Sequence, residues 1–195
     1  FAKQFNQEKT VFSNLAGAKG ACKTCGGTGV VVFGSESQSQ IILPCKDCRG
    51  TGFSNSLLKF TIAQKSIQDI LNMTIDEGIV FFSNVDKGIL AILQNAQKLL
   101  LGHLQIGEKT QKLSGGENIR IKLMTALSSN KQVIGIDEPF KGLNNEEIYT
   151  VSLSLNERAK KGKTIIVADH EESAQKYFIN RIVLINDNGV LTGKD

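Results

Sequence analysis

The sequence predicts an α/β fold, and three observations carry the prediction. Val133-Ile134-Gly135-Ile136 and Thr164-Ile165-Ile166-Val167-Ala168 are short apolar, β-rich runs of the kind that form buried parallel strands. Asn145 to Lys161 reads as a helix between them, the order that a parallel pair requires. Each run ends in residues with chemistry, Asp137-Glu138 and Asp169-His170, at the edge where open α/β sheets bind ligands.

Residues 1–14 are polar with scattered aromatics and read as the tail of a preceding segment. Residues 15–56 contain an internal repeat. Cys22-Lys23-Thr24-Cys25-Gly26-Gly27-Thr28-Gly29 is echoed by Cys45-Lys46-Asp47-Cys48-Arg49-Gly50-Thr51-Gly52, with 19 residues between Cys25 and Cys45. Two Cys-x-x-Cys units at this spacing fit a four-cysteine zinc ribbon, and the glycines suit turns that wrap backbone amides around thiolates. Disulfides are the alternative, less suited to a chain whose only cysteines form two close pairs. Val30–Phe33 and Gln40–Leu43 are strand-like, with a polar turn from Gly34 to Gln38, so a hairpin is expected between the knuckles. The same unit also resembles the zinc region of DnaJ-type chaperones, whose pattern has further repeats.

Residues 57–112 turn helical from Ser66 onward. Ile67, Ile70 and Leu71 share a face; Thr74 and Glu77 form a capping box ahead of Ile79–Phe82; and Ile89 to Leu101 supply a third helix. A packed helical subdomain without chemistry explains these positions, and His103 reads as an ordinary surface or core histidine.

From residue 113 the chain carries its candidate chemistry. Ser114 and Glu117 form a capping box, and Gly115 and Gly116 leave backbone N–H groups bare at the positive end of a helix dipole, where phosphates bind. An ordinary capped helix is the plainer reading of those residues alone. Ile119, Leu123, Ala126 and Leu127 form the expected buried face, with Arg120 and Lys122 outside it. Asp137 is placed to hold Mg²⁺ and Glu138 to polarise a water against a phosphoryl group. Lys160, Lys161 and Lys163 suit a helix end, Glu171–Phe178 a further helix, and Ile182–Ile185 a buried strand. Asn188-Gly189 should then turn into Val190-Leu191, closing the sheet edge.

Composition sets outer limits. The chain has 195 residues, enough for one domain with an appendage, and 41% hydrophobic content is ordinary for a soluble protein. No apolar run is long enough to span a bilayer and no leader opens the chain, which favours the cytoplasm and no membrane partner. A net charge of +4 permits contact with nucleic acid without requiring it.

Taken together, these motifs resemble an ABC-type ATPase. LSGGE (Leu113–Glu117) is similar to that family's signature, VIGIDEP to its Walker B strand, Gly142–Asn144 to its D-loop and His170 to its switch histidine. A zinc ribbon and helical insertion upstream of the signature, with Asp69–Glu77 between them, resemble the second nucleotide-binding half of UvrA-like proteins, the damage-sensing ATPases of bacterial nucleotide excision repair. The resemblance runs from about Phe12 to the end. Phe140-Lys141 depart from the family's small hydroxyl residues, Asn144 from its Asp or His, and Asn118-Ile119 from its Ala-Gln.

The resemblance implies part of an ABC-ATPase sheet, of the P-loop NTPase kind, over residues 113–195, with Glu138 and His170 catalytic. Ser114, Gly115, Gly116, Glu117 and Asp137 serve ATP and Mg²⁺, while Cys22, Cys25, Cys45 and Cys48 bind Zn²⁺. It also implies DNA as a partner, with Lys23, Lys46 and Arg49 as phosphate contacts or else solvated turn residues. A second nucleotide-binding half or a homodimer partner is implied too, because LSGGE serves the nucleotide of the opposing domain. A paralogue conferring drug resistance, an ABC-type regulator of another macromolecule and a non-hydrolysing zinc scaffold are the competing functions. No Gly-x-x-x-x-Gly-Lys-Ser/Thr loop occurs in these residues, the final Gly193-Lys194-Asp195 having the wrong spacing. The chain is therefore expected to begin after that loop, as a fragment, a truncated product or half of a two-chain protein, and to be inactive alone.

Overall fold

The structure, a computed structural model, describes residues 1–34, 40–178, 182–186 and 189–194. It divides into two compact units, Phe1–Met73 and Thr74–Asp195.

In the first unit a 3₁₀ turn (Lys9–Phe12) leads into the first knuckle. β1 (Val30–Phe33) then pairs antiparallel with β2 (Ile41–Pro44), Val30 opposite Pro44 and Phe33 opposite Ile41. This is the expected hairpin; residues 35–38 of its expected turn lie outside the described residues. After the second knuckle come a 3₁₀ turn (Asn55–Lys59) and a tight hairpin of β3 (Thr61–Ile62) and β4 (Lys65–Ser66). Its turn residues Ala63 and Gln64 have φ of 44° and 64°, positive at both positions as in a primed turn, without the Asn-Gly that would have announced it. Helix α1 (Ile67–Asn72) starts at Ser66, whose hydroxyl accepts from Asp69 N–H while the Asp69 carboxylate accepts from Ser66 N–H. The segment expected as a tail packs its rings here. Phe5 and Phe12 meet Phe60 edge-on, at 5.1 and 5.2 Å between centroids.

The second unit opens with α2 (Ile75–Phe82), held by the expected Thr74–Glu77 capping box, and α3 (Lys87–Lys98), capped by Asp86. Phe82, Leu93, Ala96, Leu99 and Leu101 are buried. Helix α4 (Gly115–Ser128) leads to strand β5 (Val133–Asp137), helix α5 (Asn145–Lys160) and strand β6 (Thr164–Ala168). β5 and β6 are parallel, pairing Val133 with Thr164 through to Asp137 with Ala168. Ile148, Val151, Ser152 and Leu155 form the buried stripe of α5, at the i, i+3, i+4, i+7 spacing of a helix with one face inward. A 3₁₀ helix (Glu172–Tyr177) and an antiparallel hairpin of β7 (Ile182–Asn186) and β8 (Gly189–Lys194) complete the unit.

Three expectations are corrected. Arg120 is buried, at 8% exposure, because the inward stripe of α4 runs through Arg120, Leu123 and Leu127, turned slightly from the face expected. β5 and β6 are buried on one face only: Ile134 is inside, whereas Val133 and Ile166 are 59% and 58% exposed. Among the described residues the terminal hairpin forms its own two-stranded sheet and does not close the edge of β5–β6. Asn188 of the expected turn, and the side chains of the expected buried strand 182–185, lie outside the described residues.

Candidate functional site

The two knuckles are near copies in three dimensions. Gly26, Gly27 and Gly29 have φ of 61°, 92° and 77°; their counterparts Arg49, Gly50 and Gly52 have 53°, 84° and 77°. Cys22 N–H donates to Gly52 O at 2.8 Å, and Cys45 N–H to Gly29 O at 2.9 Å, so each knuckle closes the other. A β-carbon at Gly29 would lie 2.2 Å from Gly50 O, and one at Gly52 2.2 Å from Gly27 O, so this crossing admits only glycine. Gly29 N–H and Gly52 N–H donate to the Sγ atoms of Cys25 and Cys48 at 3.2 and 3.3 Å.

All four cysteines are free, and their Sγ atoms lie within 4.8 Å of one another. Cys22–Cys45 and Cys25–Cys48 are separated by 3.9 and 3.7 Å. A zinc ion with Zn–S bonds of about 2.3 Å would set sulfurs about 3.8 Å apart, the edge of its tetrahedron. The donor set therefore fits Zn²⁺. Burial works against a charged Cys25, yet the amides of Gly29 and Gly27 hold its thiol down to about 7. Burial pushes the Cys48 thiol up to about 11. A cation at the centre removes that conflict by stabilising every thiolate. With four protein ligands the site is closed, as a structural zinc is.

At the carboxyl end of β5–β6 the second unit gathers acidic residues. Asp137 is exposed at the strand's end. Glu138 follows in the left-handed region, at φ 47°, with its N–H on Ala168 O at 2.8 Å, which ties the two strand ends together. Asp169 is engaged by backbone: its two oxygens accept from Phe140 N–H and Glu171 N–H at 3.0 and 2.9 Å. His170 Nε2 comes within 3.9 Å of Glu138 Oε1, so the two candidate catalytic side chains lie near each other without a hydrogen bond between them. Lys141 Nζ lies 2.7 Å from Glu138 Oε2, and this bond above all holds the Glu138 carboxyl below its ordinary range, with His170 adding to it. The exposed carboxylate of Asp137 is a hard oxygen donor of the kind Mg²⁺ takes.

Two departures noted in the sequence acquire reasons. Phe140 is 1% exposed and meets Phe178 edge-on at 5.9 Å, filling space that a small hydroxyl residue would leave. Asn144 is the N-cap of α5: its Oδ1 accepts from Glu146 and Glu147 N–H, both at 3.0 Å.

The signature residues form the start of α4. Ser114 Oγ accepts from Glu117 N–H at 3.2 Å, and Glu117 Oε2 accepts from Ser114 N–H at 2.7 Å. Their side chains serve the cap, which leaves the glycines to face a ligand. A β-carbon at Gly115 would meet open space, whereas one at Gly116 would lie 3.2 Å from Arg120 Nη1 and 3.4 Å from Lys141 O. An anion thus has room above Gly115. His103 pairs with the other Glu117 oxygen at 2.8 Å; with the Ser114 amide second, it draws the Glu117 carboxyl down to about 2. Neither this histidine nor Lys141 was legible as part of a site, since their partners are set by loop geometry. The i, i+3 spacing of Glu138 and Lys141 was the one available hint.

The pattern defining the ABC transporter family matches residues 3–141. UvrABC system protein A of Staphylococcus aureus is 34% identical over 173 residues, covering 87% of this chain and 18% of that protein. Its counterpart in Clostridium perfringens is 33% identical over 154 residues, covering 77% and 16%. The crystal structure of UvrA2 from Deinococcus radiodurans superposes with a TM-score of 0.73 at 31% identity, over 87% of this chain and 21% of that one. The chain thus spans less than a fifth of the length of these curated relatives.

Proposed function

We propose, from the premise that the chain belongs to the ABC transporter family and is UvrA-like, that it serves a protein coupling ATP hydrolysis to DNA binding in nucleotide excision repair. The observation that carries the reading is the nearness of Glu138 and His170, 3.9 Å apart, at the carboxyl end of two parallel strands. In this reading Glu138 accepts the proton of the attacking water, and His170 contacts the γ-phosphate from the neighbouring strand end. Asp137 would hold Mg²⁺, which supplies charge neutralisation on the phosphates when bound. Gly115 and Gly116 N–H groups, at the positive end of α4, receive the phosphate of a nucleotide held by an opposing half or a second copy.

Parallel sheets are covered on both faces, so the exposed side of β5–β6 is the surface on which the rest of an ATPase core would pack. The 195 residues by themselves are expected not to turn over ATP. Joining them to a phosphate-loop segment, covalently or as a second chain, should give hydrolysis that Glu138→Gln abolishes while nucleotide binding persists. Glu138-dependent turnover by the isolated chain would overturn the division of labour. Turnover that survives Glu138→Gln in the completed protein would overturn the role of Glu138.

Lys23, Lys46 and Arg49 are exposed on the knuckles and are the proposed DNA phosphate contacts. Replacing each by Ala should flatten the salt dependence of DNA binding by about one unit per contact, without changing sequence preference. An unchanged slope would count them as solvated turn residues.

A further inference from the structure

We propose that Lys141 is a positioning residue that withholds Glu138 until the polyphosphate of a nucleotide draws its ammonium away. This rests on the reading of Glu138 as the group that activates water. One carboxylate oxygen of Glu138 is occupied, Oε2 by Lys141 Nζ at 2.7 Å; His170 Nε2, at 3.9 Å, lies beyond hydrogen-bond reach of Oε1. A water cannot take up the position that the ammonium fills.

The backbone enforces the contact. Glu138 stands at φ 47°, a conformation uncommon for a residue with a side chain and a recurrent feature of switch segments. Lys141 N–H donates to Glu138 O at 3.3 Å, which closes a tight turn over these four residues. Buried Phe140, with its N–H on Asp169 Oδ2 at 3.0 Å, anchors the turn. Lys141 is consequently carried back over Glu138, with Asp137 and Asp169 as further negative charges around its ammonium.

The pair is also easy to break. The Lys141 side chain is 65% exposed and that of Glu138 33%, and exposed pairs add little to stability. A polyphosphate brings several negative charges to the same ammonium and outcompetes one carboxylate. The residue that restrains Glu138 in the resting site is thereby the one the nucleotide recruits. Being exposed, Lys141 can be replaced without harm to the fold.

The test uses the full natural protein that carries this chain, assayed for steady-state ATP hydrolysis. Lys141→Met should raise kcat about threefold or more with KM little changed, because restraint on the base is lost before the chemical step. Lys141→Arg, which keeps the charge, should restore the parental rate, and Glu138→Gln should abolish turnover. Turnover abolished by Glu138→Gln, with Lys141→Met at or below the parental kcat, overturns the latch and leaves the role of Glu138 standing. Turnover surviving Glu138→Gln, or a parent with none, overturns that role and the latch with it. In the same protein without nucleotide, the Lys141 ¹⁵Nζ resonance should shift on Glu138→Gln. An unchanged resonance overturns the contact itself.

Discussion

The zinc module and the β5–α5–β6 segment place their functional residues in opposite ways. Each knuckle is completed by the other: the four sulfurs, the crossing amides and the glycines that admit them all come from residues 22–52. The strand pair is open. One sheet face is exposed, Asp137 and His170 are exposed, and Gly115 at the start of α4 faces open space. A structural metal site needs every ligand at once, because a partly filled coordination shell leaves charged sulfur buried. A nucleotide site shared between halves must instead stay accessible until its ligand and partner arrive. Completeness in one region and incompleteness in the other fit the chemistry proposed for each.

The sharpest way to break this comparison is to remove the metal. Chelation, or Cys45→Ser, should unfold the knuckle region with an apparent loss of order 10 kcal/mol, while the helical signal of Thr74–Ala168 persists. Amide exchange measured by NMR in each region decides it, and simultaneous loss of both would contradict the contrast. The next effect in size is steric. Gly29→Ala or Gly52→Ala should cost about 3 kcal/mol, since the new carbon meets a carbonyl 2.2 Å away at φ 77°. Gly26→Ala, with nothing within 4 Å, should cost only about 1 kcal/mol at its φ of 61°. Zinc affinity and thermal melting of the three variants will show whether the crossing is as tight as described.

On the open side the effects are smaller. The Glu117 carboxyl is drawn down to about 2, chiefly by His103, against about 4.3 in an unfolded chain. A carboxyl depressed on folding contributes stability that is complete above the unfolded value and drains away as pH falls towards the folded one. The melting temperature of the parent should therefore lose its advantage over Glu117→Gln between about pH 4.5 and pH 2. His103→Ala, by raising the folded value alone, should bring the end of that loss to higher pH and make the loss smaller. Smallest is the α5 cap: Asn144→Ala should cost about 1 kcal/mol in thermal unfolding, and Asn144→Asp almost nothing.

Much of the four-cysteine cluster was legible because its residues sit at short, fixed spacings and its turns depend on glycine. The caps at Thr74–Glu77 and Ser114–Glu117 were legible for the same reason, each being decided within four residues. Strands β5 and β6 announced themselves by composition, and their parallel pairing by the helix between them. The sequence also noted Phe140, Lys141 and Asn144 as departures without supplying their reasons. Those came from what lies across from them: Phe178, Glu138 and the α5 amides.

The sequence by itself determined the four-cysteine repeat, the capped helices, the strand–helix–strand order and the acidic edge, since each is written in contiguous residues through spacing, periodicity or a missing side chain. Tertiary structure alone decided that Arg120 is buried, that one face of β5–β6 stays exposed and that, among the described residues, the terminal hairpin strands pair only with each other. It also decided that His103 reaches Glu117 across 14 residues. Periodicity tells which residues share a face, but burial and pairing depend on what the rest of the fold brings against that face, and no local pattern carries that information.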